Sequence, residues 1–351
     1  MMNVIRFSLF TVLLFCLSYA LYILPYAMAG KLLFGTPLIA PVLFWPTAFV
    51  VMLLFAYMRT HNTSTSLALT AYYGLGIGFT TLWLFTIALG LSALMPIYHF
   101  EIGIVASIIA ITLIGLALIN GRKLTSKSLT IPTKRLSKDI SFAFISDVHL
   151  GSNNMAHLER IITQVNKAPY ECLIIGGDLF DSSAFSPDQL APLQKATAPI
   201  FFITGNHEYY VRDHANKIAS LAGQNITILD DEAVSFGEVN MIGISDNQPM
   251  RQQAQKAANL IKDNVFNLLL VHQPGIWGKQ PEGTDLMLSG HTHNGQIFPF
   301  NFLVKLQFKA SYGHYKQGTS QLYVSSGAGT WGPKMRLGSR NEVLHITLKA
   351  A

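Results

Sequence analysis

Apolar and polar positions divide this chain into two contrasting stretches. Up to residue 120 the apolar positions run almost unbroken, in four segments at about 6–28, 36–58, 68–95 and 101–119. Each approaches or exceeds the roughly 20 residues that a helix needs to cross a ~30 Å hydrocarbon layer. From Ile140 onward the apolar runs are short and end in Gly, Asp, Asn or His. These runs predict strands at Ser141–Ile145, Cys172–Ile175, Ile200–Ile203, Val239–Ile244, Asn267–Val271, Asp285–Leu288, Gln321–Val324 and Val343–Leu348. Helical patterns lie between several of them, at about 154–167, 187–196, 213–222 and 250–261. Such alternation predicts an α/β arrangement with helices flanking sheets.

Charge sharpens the division. The chain has 351 residues, of which 50% are apolar and 13% charged, against roughly 25% charged in a soluble domain. Residues 1–120 hold only Arg6, Lys31, Arg59 and Glu101. This distribution excludes an ordinary soluble enzyme and a disordered chain. We therefore expect a transmembrane anchor of about four helices at 1–120, a basic juxtamembrane linker at 121–139, and a soluble domain at 140–351. The net charge of +6 is not a nucleic-acid footprint, because Arg122, Lys123, Lys127, Lys134, Arg135 and Lys138 account for it in one strip. A basic strip after an apolar block marks the cytoplasmic side of a membrane. With Arg6 and Arg59 it orients four spans so that both termini and the soluble domain face the cytoplasm, at a cell inner membrane. A cleaved signal peptide at Ala27-Met28-Ala29 is the competing reading, but that site leads into further apolar sequence. Gly74, Gly76 and Gly78 are read as helix-packing positions. Cys16 and Cys172 fall in separate parts of the chain, so no disulfide framework is expected.

Chemistry concentrates where the strands end. Ile145 leads into Asp147 and His149, Ile175 into Asp178 and Asp181, and Ile203 into Asn206, His207 and Glu208. Val271 leads into His272, and Leu288 into His291 and His293. In α/β proteins the strand ends on one sheet edge share a crevice. Asp147, His149, Asp178, Asn206, His272, His291 and His293 gathered there would be mutually costly without cations. A mixed nitrogen and oxygen set without thiolate suits manganese, iron, zinc or magnesium, and seven donors are enough for two ions. Asp147 and His149, spaced i and i+2 beyond a strand, are placed to face one way and hold one ion, and His291 and His293 likewise.

These five blocks, Asp-x-His, Gly-Asp-x-x-Asp, Gly-Asn-His-Glu, His and Gly-His-x-His, occur in order between residues 140 and 348. That stretch resembles the calcineurin-like metallophosphoesterase superfamily. The resemblance implies a double β-sandwich with helices on both outer faces, a four-layer α/β fold that here follows a four-helix transmembrane block. It also implies two divalent ions, manganese first. One would be held by Asp147, His149, Asp178 and His293, the other by Asp178, Asn206, His272 and His291. His207 would face the substrate as proton donor in hydrolysis of a phosphoester or pyrophosphate bond. Asp181 and Glu208 would steady ligands or loops, and Arg336 or Arg340 would pair with substrate phosphate. Gly327, Gly329, Trp331 and Gly332 resemble the subfamily's Gly-rich tail. Similar proteins continue Gly-His-Thr-His with Gly-Gly-Gln, whereas Asn294 stands here in place of the first Gly.

Membrane spans favour a substrate that is itself lipid-linked, such as the UDP-2,3-diacylglucosamine of lipid A biosynthesis, which one branch of the superfamily hydrolyses. The alternative is an anchored phosphodiesterase or phosphatase for a cyclic nucleotide or phosphoprotein. The stretch Phe300–Lys309 alternates apolar and polar positions as an amphipathic strand would, with one face in a sheet or forming a lysine-bearing lip against the bilayer.

Overall fold

The structure is a computed structural model that describes residues 2–222 and 226–351. The chain divides into two compact units, Met1–Ile119 and Asn120–Ala351. In the first unit the apolar runs form α1 (Met2–Ser18), α2 (Leu24–Phe34), α3 (Phe44–Thr60), α4 (Ser66–Leu94) and α5, which spans His99–Arg122. A π-helical turn at Tyr19–Ile23 fuses α1 to α2. Among the described residues, four helices are therefore long and apolar enough to cross a membrane: Ile5–Phe34, Pro41–Thr60, Ser66–Leu94 and Pro96–Arg122. The π turn has a local cause. Pro25 has no N–H to offer the carbonyl of Leu21 one turn back, so the ladder widens there. Gly78 of α4 lies against that same Leu21 carbonyl, closely enough that a Cβ would collide with it. Two of the three expected packing glycines are seen in this contact role, Gly78 on Leu21 and Gly74 on the Tyr22 ring.

The second unit begins with β1 (Leu124–Thr133), β2 (Ile140–Ile145), α6 (Met155–Val165), β3 (Cys172–Gly176), β4 (Ile200–Ile203), α7 (Asn206–Tyr210) and α8 (His214–Leu221). It continues through β5 (Ile226–Ile228), β6 (Glu232–Phe236), β7 (Val239–Ile244), α9 (Met250–Ala258), β8 (Phe266–Val271) and β9 (Leu286–Ser289). It closes with α10 (Phe300–Gln307), β10 (Gly313–Gln317), β11 (Ser320–Val324) and β12 (Asn341–Ala350). Two six-stranded mixed sheets result, in the orders β1-β12-β2-β3-β4-β5 and β10-β11-β9-β8-β7-β6.

Period-2 alternation explains the layering. Along β2, Ile140, Phe142 and Phe144 pack with Met241, Leu268 and Leu288 between the two sheets. Ala143 and Ile145 face the other way, among Leu158, Ile161, Ile162 and Val165 of α6. On α6 those four positions form one apolar stripe, and the Asn154 side chain caps its start by accepting from the His157 N–H at 3.1 Å. Outside the second sheet, Ile242, Ile244, Leu269 and Val271 pack with Ala257 of α9. Helix, sheet, sheet and helix therefore stack in four layers, the expected architecture.

Three local expectations are corrected. The basic strip contains a full strand, β1, paired in parallel with β12 over Leu124–Thr133. Its polar side chains hide it, since only Leu129 and Ile131 are buried along it. Phe300–Gln307 is a helix rather than a strand: Val304 is its buried position, and the Phe308 N–H at its C-terminal end donates to Val304 O at 2.9 Å, one helical turn back. Pro187–Lys195 is 3-10 helical, with Pro192 inside it.

Candidate metal centre

Within each sheet the site-bearing strands run parallel: β2, β3 and β4 in one, β8 and β9 in the other. Their C-terminal ends carry the loops with the seven donors. Those loops are tied to one another. The Asp147 N–H donates to Gly177 O at 2.9 Å and the His149 N–H to Asp178 O at 3.0 Å, while the His291 N–H reaches Asp147 Oδ1 at 3.0 Å. Asp147, His149, Asp178, His291 and His293 all have φ between 48° and 69°, a left-handed conformation that side-chain-bearing residues adopt only where the surroundings hold them. Two glycines allow the close approach. A Cβ on Gly205 would collide with Asp178, and one on Gly290 with Asp147.

The candidate donors form two groups, and His149 also belongs to a third with Asp181 and His207. Asp147, His149 and His293 form one, with His149 Nε2 3.1 Å from His293 Nε2 and His293 Nε2 3.3 Å from Asp147 Oδ1. Asp178, His272 and His291 form the other, with His272 Nε2 3.1 Å from Asp178 Oδ2. Asp178 Oδ2 is also 3.7 Å from His149 Nε2, so this carboxylate lies within reach of both groups. His291 and His293 are thus divided between the groups instead of facing one ion together.

The electrostatics favour cations here. Burial drives His291 down to about 3 and, with His149 and Arg336, takes His293 well below the ordinary histidine range. Both are neutral and carry the lone pair a metal needs. Burial opposes charge on His272 and His149 as well, yet Asp178 holds His272 well above its usual value, and Asp181 with Asp178 raises His149. Buried carboxylates are drawing positive charge inward. Asn206 Oδ1 is buried with no hydrogen-bond partner, an arrangement that costs free energy unless another group takes its lone pair. The donor set therefore fits a dinuclear metal site.

Around the donors, other side chains fix orientation. His272 Nδ1 hydrogen-bonds Gly176 O at 2.8 Å, which leaves Nε2 facing the centre. Asp181 Oδ2 stands 3.4 Å from His149 Nδ1 and accepts from Ser152 Oγ at 2.5 Å. Glu208 accepts three backbone N–H groups, from Asp178, Phe180 and Gly205, at 2.9, 3.1 and 2.7 Å. Burial and Asp178 push its carboxyl up to about 8, while the N–H groups of Phe180 and Gly205 pull it back. His207 is half-buried, its ring 4.8 Å from that of His149 and 5.7 Å from that of Trp331.

Arg336 departs from its expected role toward substrate phosphate. It is fully buried, donating to His293 O at 2.7 Å, to Ser326 O and Gly329 O at 2.6 Å, and to Asn341 Oδ1 at 2.8 Å. Its charge braces the His293 loop and has no path to solvent. Arg340 is exposed and hydrogen-bonds Asn120 Oδ1 at 2.9 Å. Asn294 takes φ 50°, ψ 36°, a left-handed position that Asn tolerates better than other non-Gly residues. Sequence reasoning missed Ser146, which donates to Asp147 Oδ2 at 2.6 Å, and Ser152. Ser146 had one signal, its place directly before Asp147. Ser152 had none.

Comparison with known proteins agrees with this geometry. The family model described as calcineurin-like phosphoesterase matches residues 140–295. An uncharacterized metallophosphoesterase of Helicobacter pylori is 36% identical over 236 residues, covering 63% of this chain and 63% of its own length. A Bos taurus transmembrane protein with metallophosphoesterase domain is 30% identical over 258 residues, covering 64% of this chain and 57% of its own length. An uncharacterized metallophosphoesterase of Aquifex aeolicus is 30% identical over 235 residues, covering 63% of this chain and 90% of its own length. The chain thus spans 63% of the Helicobacter relative and 57% of the bovine one, less than two thirds of either.

Proposed function

This chain belongs to the calcineurin-like phosphoesterase family, and we propose that it is a membrane-anchored hydrolase of phosphoester or pyrophosphate bonds that depends on two divalent cations. One observation supports the reading: four strand ends from two sheets bring six donors into two groups, with Asp178 Oδ2 3.1 Å from His272 Nε2 and 3.7 Å from His149 Nε2. When bound, such ions activate water and neutralise charge growing on a phosphoryl group.

The chain's own residues supply the rest. Asp147, His149, Asp178 and His293 would hold one ion; Asp178, Asn206, His272 and His291 would hold the other. His149 and His272 are kept in orientation by Asp181 and Gly176 O. His207 is half-buried beside His149, with its backbone N–H on Asp178 Oδ1 at 2.9 Å. From there it would hand a proton to the departing oxygen, a contribution of about 10²–10⁴ in rate.

For the substrate we favour a lipid-linked phosphate such as UDP-2,3-diacylglucosamine, met at the cytoplasmic face of the inner membrane, with manganese as the working metal. The support is the four membrane-length helices and the cationic strip that follows the last of them. A soluble diester or phosphoprotein is the competing substrate. The test is a product assay on detergent-purified full-length protein, offering lipid sugar-nucleotides and soluble diesters side by side. Chelation should abolish hydrolysis and Mn²⁺ restore it; turnover indifferent to chelator refutes the reading. His207→Ala should slow turnover while leaving metal content intact. Equal loss of metal would make His207 a ligand instead.

A further inference from the structure

The second unit carries an exposed apolar surface. Phe298, Phe300, Phe302, Leu303, Leu306 and Trp331 are between 44% and 84% exposed. All belong to α10, the turn before it, or the tail loop. They are held firmly. The start of α10 packs on the His293–Gly295 turn so closely that a Cβ on Gly295 would collide with Asn301. Phe298 and Phe302 form an edge-to-face pair at 5.7 Å, and Gln296 accepts from the Trp331 N–H at 3.1 Å. The patch also borders the metal centre: the Trp331 ring lies 5.7 Å from that of His207, and the Phe308 ring 5.6 Å from that of His291.

Charge selects the occupant. Lys305 and Lys309 are exposed on and beside α10. From Leu286 to Asn341 the sequence contains no acidic residue, while Lys305, Lys309, Lys316, Lys334 and Arg340 are cationic in addition to the buried Arg336. A rigid amphipathic helix with aromatic and leucine side chains on its exposed face, edged by lysines, matches an anionic lipid surface. The same chain provides four helices of membrane-crossing length, so such a surface is within reach of this domain.

We propose that α10 and Trp331 form an interfacial contact that seats the mouth of the metal centre on the headgroups and upper acyl chains of an anionic bilayer. The lysines engage phosphate while Phe302, Leu303 and Leu306 enter the hydrocarbon boundary. This contact concerns where the site opens and holds whichever phosphoester is cleaved.

The test places a bimane fluorophore on Leu306→Cys in full-length protein carrying Cys16→Ser, reconstituted in phosphatidylglycerol vesicles that contain brominated acyl chains. Arg251→Cys on α9, labelled identically, is the control. Quenching about threefold stronger at 306 than at 251 is expected from insertion at the interface. Equal quenching at the two positions overturns the proposal, as does disulfide cross-linking of 306 to 306, which would assign the face to a second copy. Hydrolysis of a water-soluble diester is followed on the same samples. A normal rate with no selective quenching refutes the interfacial contact alone, whereas absent turnover in metal-loaded protein counts against the hydrolase reading.

Discussion

Replacing Arg336 with Met tests how the metal centre is braced. The guanidinium is fully buried and satisfies four oxygen acceptors at 2.6–2.8 Å, belonging to His293, Ser326, Gly329 and Asn341. Methionine fills part of the volume but supplies no donor, so four buried acceptors lose their partners. Each orphaned group costs about 1–3 kcal/mol. Relaxation recovers part of the sum, so we expect a net loss of about 3–5 kcal/mol, the range for breaking a buried charged network. Arg336→Lys should recover little, because one ammonium cannot span acceptors arranged around a planar fork. The assay is denaturant unfolding of full-length protein in detergent, followed at the second unit, together with metal analysis. Because His293 sits in the braced loop, bound metal should fall with stability. Stability within about 1 kcal/mol of the original chain and unchanged metal content would refute the reasoning, since these acceptors would then be satisfied some other way.

Three further outcomes are expected. Arg160 can only donate, so its 2.7 Å contact with His157 Nδ1 fixes the neutral tautomer whose Nε2–H bonds Ala328 O at 2.9 Å, and burial lowers this pKa from 6.5 to about 4. The unfolded chain therefore takes up a proton between pH 6.5 and 4 that the folded one refuses, and stability falls with pH across that window by about 3 kcal/mol; His157→Gln should remove this share of the pH dependence in unfolding titrations. Glu208→Gln would set an NH₂ against one of three backbone N–H groups now accepted by the carboxylate, costing about 1–3 kcal/mol and lowering bound metal, read by unfolding and metal analysis. In the first unit, Gly78→Ala should lower the thermal stability of the detergent-purified protein by the equivalent of about 1–3 kcal/mol through collision with Leu21 O, whereas Gly90→Ala, with open space around it, should not.

Much of the fold could be read from the sequence because its loudest signals are physical necessities. Membrane-length helices need long apolar runs, and the sandwich strands Cys172–Gly176, Ile200–Ile203 and Phe266–Val271 are buried at every position, so they stand out as uniform apolar segments. What escaped is polar or short. β5 has three residues, and β6 and β10 have no buried position. Phe300–Gln307 shows apolar residues at spacings of two and of four, and only the surrounding packing selects the helix. At the site, residue types at strand ends pointed to the seven donors, because metal chemistry constrains identity. The division of His291 from His293 between two groups, and the burial of Arg336, depend on tertiary context and leave no mark in local pattern.

The place of β12 in its sheet has a consequence for synthesis. It lies between β1 and β2, pairing in parallel with one and antiparallel with the other. Ten other strands separate β1 from β12 along the chain. A nascent β1 therefore waits without its neighbour while the ten intervening strands are translated, a situation that invites wrong pairing between copies. Its threonines, serines and Lys127 make that wait safe, since a water-loving ribbon has little to gain from a stranger's edge. The composition that makes this strand look like a spacer is what keeps it available until its neighbour arrives.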